Sequence, residues 1–204
     1  MPILLDRIES IVTPEERDNR IRWTRLECAQ LVEAGIVEAE KYELLGGELF
    51  VKVKNRRHVN ATNLLLHFLN ALFGDLYVQS QDPIGVAPVE NETNAPEPDA
   101  AVTRQPVASY TTADPGPEEL LLVVEVTDST QNRDKIIKAR LYATAGITEY
   151  WLLDLRARRL RVHRSPDTST GAYQLVQEFT ESETLAPLAA PTAMLTVSQL
   201  FPAE

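Results

Sequence analysis

A chain of 204 residues with 44% hydrophobic and 25% charged residues has the balance of an ordinary globular protein large enough to bury a real core. A formal net charge of -10 argues against a plain cationic nucleic-acid binder, and a single cysteine, Cys28, excludes internal disulfides and thiolate metal clusters. No apolar run is long enough to cross a bilayer, and Met1-Pro2-Ile3-Leu4-Leu5-Asp6 lacks the basic stretch of a secretion signal, so the cytoplasm is the expected compartment.

In chain order, residues 1–23 read as an N-terminal arm and residues 24–204 as one domain. Thr24 with Glu27 three positions on has capping-box spacing, which predicts a helix to about Glu33, stopped by Gly35. Cys28 falls on that helix and is expected to be a small buried hydrophobe. Tyr42 to Val53 reads as two strands joined at Gly46-Gly47, a hairpin signal, with Glu48, Phe50 and Lys52 on one face of the second strand. His58 to Phe73 has helical spacing at Leu65, Leu69 and Leu72, with Gly74 as its stop. Short strands follow at Leu76–Ser80 and Ile84–Ala87, then a polar loop from Pro88 to Pro98 and a strand from Asp99 to Thr103. Leu120 to Val126 is a nearly continuous apolar run, hence a central strand buried on both faces. A helix from Arg133 to Ala145 precedes strands at Glu149–Asp154, Arg159–His163 and Tyr173–Phe179, with Ser165–Gly171 as a turn. The order implies an α/β (α+β) domain with a mixed central sheet flanked by helices.

Two acids stand out because apolar strands deliver them. Asp99 follows Pro98 at the start of one strand, and Glu125 interrupts Leu120–Val126. An ionised carboxylate is costly to bury without compensation, and a divalent cation supplies it. Mg2+ suits such a pair: it prefers oxygen ligands and retains waters beside a phosphate substrate. Each acid alone also fits a bland role, Asp99 as a turn residue and Glu125 as a strand-end charge. Basic residues cluster at Lys52–His58, at Arg133–Arg140 and at Arg156–Arg164, each a solvated face or a phosphate-binding surface; the first two flank the acids.

Tyr42-Glu43-Leu44-Leu45-Gly46-Gly47-Glu48-Leu49, His58 opening a helix, Pro98-Asp99, Val124-Glu125-Val126, Lys138-Ala139-Arg140-Leu141-Tyr142 and Ala145-Gly146-Ile147-Thr148-Glu149-Tyr150-Trp151 resemble the Uma-two family. The likeness runs from about Thr24 to Asp154, and Gly-x-x-Glu-Tyr-Trp is its most specific element. Members belong to the PD-(D/E)XK nuclease superfamily, so the resemblance implies a restriction-endonuclease-like core in which Asp99 and Glu125 bind Mg2+, or Mn2+ in its place. The backbone carbonyl of Val126 is the expected third ligand.

The superfamily places a lysine two residues past the second acid, where this chain has Thr127. Lys138 is the expected substitute, with Lys135 at i, i+3 as its rival. A surface ion pair of Lys138 with Asp134 is the alternative role. The resemblance also implies an additional acid, Glu48, on the hairpin, whereas Glu43 carries no chemistry beyond the motif. His58 is expected to touch phosphate, water or metal, or to cap the helix. Tyr142 could orient Lys138 or pack the core, and Tyr150 and Trp151 should pack the next strand against the helix. The expected function is a metal-dependent endonuclease acting on DNA, as a homodimer and without a membrane. The alternatives are a catalytically inactive nuclease-like nucleic-acid-binding or regulatory module, and an assembly protein that uses the core as scaffold.

Overall fold

The computed structural model describes residues 21–52, 54–86, 91–128 and 132–203, the side chains of 40 and 132–135 excepted. Residues 1–20 of the expected arm, Val53 and Ala87 therefore lie outside the described residues. Helix α1 (Arg25–Glu33) has the expected capping box: Glu27 N–H donates to Thr24 Oγ1 (3.2 Å) and Thr24 N–H to Glu27 Oε2 (2.8 Å). Strands β1 (Tyr42–Leu45) and β2 (Glu48–Val51) form the hairpin. Gly46 and Gly47 both take positive φ (58° and 79°), the pattern of a type I′ turn whose twist matches the flanking strands.

Helix α2 (Arg56–Phe73) starts two residues before the sequence predicts, because Asn55 caps it by accepting the His58 N–H at 2.9 Å. The main sheet has six strands in the order β3 (Val78–Gln79), β4 (Ala100–Thr103), β5 (Leu120–Thr127), β6 (Glu149–Asp154), β7 (Arg159–Asp167) and β8 (Ala172–Thr180). Every pairing is antiparallel except β5 with β6, which helix α3 (Asn132–Ala145) joins as a crossover.

Alternation along β5 sorts the core into two layers. Leu122, Val124 and Val126 pack with Ala61, Leu65 and Leu69 of α2, and with Trp151 and Leu153 of β6. Val123, Tyr150 and Leu152 pack on the opposite face with Tyr142 and Ala143 of α3. The central strand is thus buried on both faces, as its apolar run predicts.

Several expectations are corrected. Ile84–Val86 forms no strand: Ile84 and Gly85 donate instead to the carbonyls of Pro96 and Pro115. The segment before β3 is a 3-10 turn, Asp75–Tyr77. Strand β7 runs on to Asp167, which shortens the expected turn. Cys28 is half-buried, since α1 buries none of its residues. Trp151 faces α2 rather than α3, one residue out of phase with Tyr150. A small ribbon, β9 (Thr184–Leu185) with β10 (Leu195–Thr196), was too short to read from pattern. Among the described residues no helix is long and apolar enough to cross a membrane.

Candidate active site

Asp99 lies one step beyond the last β4–β5 pair, Ala100 with Val124, and so stands opposite Glu125. Its Oδ2 accepts the Val126 N–H at 2.8 Å and lies 3.3 Å from His58 Nε2. The Asn55 cap fixes His58 in the first turn of α2, which brings the imidazole to Asp99. In an extended strand a residue's N–H and C=O point the same way, so the Val126 carbonyl also faces this side, where it meets His58. His58 Nδ1 and, one turn on, Thr62 Oγ1 are buried with no partner among the described residues.

Glu125 points to the α3 face. Its Oε1 accepts from both Lys138 Nζ (2.8 Å) and Tyr142 OH (2.7 Å). Lys138 Nζ also lies 2.8 Å from Glu43 Oε1, and Glu43 in turn accepts the Glu97 N–H at 2.7 Å. Lys52 completes the chain of contacts through Glu97 Oε2 at 2.6 Å. The ammonium that Thr127 cannot supply therefore reaches Glu125 from α3. Lys138 and Tyr142 are one helical turn apart, so one face of α3 presents both.

Buried charge dominates the electrostatics. Burial pushes Glu125 up to about 8; Lys138 opposes the rise, while Glu43 and Asp99 add to it. Burial works against the Lys138 ammonium, but Glu125 and Glu43 outweigh it, and its pKa goes up. His58 behaves likewise: burial lowers it, yet the hydrogen bond and charge of Asp99 leave the net direction upward. The Tyr142 hydroxyl is held protonated by burial and by the neighbouring carboxylates, and so remains a donor.

The donor set fits a hard cation. Three carboxylates, Glu43, Asp99 and Glu125, share one permanent cation, Lys138, and an imidazole. With all three ionised, negative charge would be in surplus; together with burial this drives Glu125 toward its neutral form, and a divalent ion would offset it. Lys138 and Tyr142 both bond Oε1 of Glu125, and Val126 and His58 both engage Oδ2 of Asp99; neither pair uses the second oxygen. Among the described residues no three acid, imidazole or thiol groups converge to hold a metal ion, so two carboxylates with a backbone carbonyl, water and phosphate would have to make up the shell, as Mg2+ allows.

Of the sequence-predicted residues, the structure brings Asp99, Glu125, Val126, Lys138 and His58 together. Glu48 stands elsewhere on the hairpin. It pairs with Leu45 at the turn end, whereas Glu43, opposite Phe50, is the hairpin acid that meets Lys138. Glu43 is thus the hairpin acid in contact with Lys138; Tyr142 is buried in the core, one of its two expected roles, and bonds Glu125 rather than Lys138. Both glutamates lie on one hairpin face, so alternation could not separate them; only the crossing of α3 does. The side chain of Lys135, like that of Asp134, lies outside the described ones.

A crystal structure described as a putative nuclease belonging to DUF820, from Anabaena variabilis ATCC 29413, shares this fold, with a TM-score of 0.61 and 17% identity. The match covers 83% of this chain and 94% of that one. No curated protein matches. The model of the Uma2 (Uma-two) family, described as putative restriction endonuclease, matches residues 27–198 and so takes in every site residue above. The chain belongs to the Uma2 family of putative restriction endonucleases.

Proposed function

We propose that the protein is a Mg2+-dependent endonuclease that hydrolyses phosphodiester bonds of DNA at Asp99 and Glu125. The single observation that carries this reading is the buried excess of carboxylate around one lysine at the adjoining ends of β4 and β5. Asp99, Glu125 and the Val126 carbonyl would hold the ion, which when bound makes water a better nucleophile and offsets phosphate charge.

The chain's own groups do the rest. Lys138 stays protonated between Glu125 and Glu43, and can turn an N–H toward a phosphate oxygen as charge gathers there. Tyr142 fixes the carboxylate of Glu125, and His58 fixes that of Asp99. In the reaction water attacks phosphorus in line, an O–P bond forms, and the bond to the 3′ oxygen breaks. That oxygen takes up a proton, the attacking water gives one up, and the products are a 5′-phosphate and a 3′-hydroxyl.

The test is nicking of supercoiled plasmid and cleavage of single-stranded DNA in Mg2+ or Mn2+, with wild type beside Asp99→Ala. Metal-dependent cleavage that disappears in the variant is expected; full activity in Asp99→Ala overturns the assignment. One observation favours a second reading: Lys138 is already clasped by both Glu125 and Glu43. In that reading the lysine replaces the metal and the fold is an inactive binding or regulatory module. Wild type that neither cuts DNA nor binds Mg2+ by calorimetry would select it. A duplex cutter needs two active sites, so a homodimer belongs to the first reading, and sedimentation measures it.

A further inference from the structure

Two basic clusters that lie about a hundred residues apart in the chain meet beside the site. Arg57 Nη2 donates to the Leu155 carbonyl (2.7 Å), and Arg57 Nη1 lies 3.4 Å from Asp128 Oδ1. Arg156 Nε donates to the Asp128 carbonyl (2.8 Å), and Asn55 Nδ2 to Asp128 Oδ2 (2.6 Å). Asp128 thereby pins the start of α2 to the β6–β7 turn. An open groove of about 490 Å³ results, lined by Arg56, Arg57, Asn60, Arg158, Pro202 and Ala203.

The groove is cationic in a chain of net charge -10. Arg56, Arg57 and Arg158 line it, Arg57 against Asp128 and Arg158 against Glu181, and Arg156 stands beside Asp128. Arg57 and Arg158 hold the walls together through their acids. Arg56 is exposed, and among the described residues no ion pair engages it. Arg56 and Asn60 are one turn apart on α2 and share an outward face, while His58 turns inward to Asp99. The groove lies close to the site: Asn55 accepts the His58 N–H and donates to Asp128, which pairs with Arg57 of the groove. Arg57 adjoins His58 in sequence, and Asp128 follows Glu125 by three residues at the end of β5, a reach of about 10 Å along an extended chain.

We propose that this groove binds the phosphodiester backbone of the nucleic-acid strand that leaves the reacting phosphate, with Arg56 and Asn60 as its phosphate contacts. The proposal rests on the nuclease reading, and it extends that site to a second stretch of the bound strand. A planar guanidinium beside an amide donor suits phosphate oxygens and reads no base, so the contact is independent of sequence.

The experiment is fluorescence anisotropy of the full chain with labelled single-stranded and duplex DNA. Ca2+ replaces Mg2+, and the salt concentration is varied. Arg56→Ala is compared with Arg104→Ala, an equal loss of charge just past the opposite end of β4. Arg56→Ala should weaken binding by about three- to tenfold and lower the salt slope by about one, the signature of one lost phosphate contact. Adding Asn60→Ala should weaken it further, whereas Arg104→Ala should leave both quantities near wild type. Equal effects of Arg56→Ala and Arg104→Ala would overturn the groove and leave only a net-charge effect, as would wild type that binds no DNA. Failure of the nuclease reading looks different: DNA would bind through Arg56, yet Mg2+ and Mn2+ would support no cleavage.

Discussion

Two buried glutamates on neighbouring strands show how differently one residue type can be used. Glu149 opens β6 on the α2 face and is 0% exposed. Its Oε1 takes Arg164 Nε (2.8 Å), Arg164 Nη2 (2.5 Å) and Trp151 Nε1 (3.0 Å), and its Oε2 takes the Leu188 N–H (2.7 Å). Glu125, in β5 on the α3 face, has Lys138 and Tyr142 on one oxygen and faces two further acids. The first carboxylate is satisfied by the protein alone. The second shares its lysine with Glu43 and is raised by burial and by two neighbouring acids, which is what the proposed cation site calls for.

Neutralising each acid should separate the two roles. Glu125→Gln should reduce DNA cleavage by about a thousandfold or more, the scale of losing a principal transition-state stabiliser. Its folding should hold, with a thermal midpoint within a few degrees of wild type, because an amide matches the neutral form that burial favours. Substantial cleavage by this variant would mean that Glu125 is no more than a structural acid.

Glu149→Ala should do the reverse. It strands Arg164 and the Trp151 indole N–H in the interior and frees the Leu188 backbone that ties the chain after β8 to the sheet. The expected cost is about 3–5 kcal/mol, the range for breaking a buried ion pair. Urea unfolding measures it, and a loss under about 1 kcal/mol would deny Glu149 its structural role. Any protein that remains folded should still cut, since Glu149 lies on the far face of the sheet from Glu125.

This contrast also shows where sequence reading succeeds and fails. The hairpin is legible because Gly46-Gly47 can adopt two consecutive positive φ angles that other residues resist. The central strand is legible because burial on both faces demands an unbroken apolar run, and only Glu125 breaks it. Asp99 and Glu125 thus stand out from local pattern, and the family resemblance points to Lys138, which the structure sets against Glu125. Glu43 is not legible over Glu48, nor Glu149 as a structural acid over a catalytic one. In both cases the deciding partner, Lys138 or Arg164, comes from another element, and strand periodicity says nothing about which element crosses above. The cap at Asn55 was readable in principle, since Asn three residues before His58 is a strong N-cap.

A smaller effect sharpens the comparison by way of two histidines. Both His58 and His163 are buried with Nδ1 lacking a partner among the described residues, yet they are pushed in opposite directions. His58 rises above 6.5: burial opposes protonation, but Asp99 prevails. His163 stacks on Tyr150 with ring centroids 4.9 Å apart, and burial, assisted by the charge of Arg161, lowers it to about 4. The signs of the linked stability follow. The His58 contribution is fully present below pH 6.5 and is lost as pH rises through its higher folded value. The His163 contribution is present above 6.5 and is lost as pH falls toward 4, an effect on the order of 1–3 kcal/mol. NMR titration of the imidazole protons should therefore show one histidine above and one well below the free value. Asp99→Asn should pull His58 down, because it removes the charge that outweighs burial, and it should leave His163 where it is. If both rings titrated together near 6.5 in the wild type, Asp99 would not be gripping His58, and the active end of the sheet would be no more polarised than its structural end.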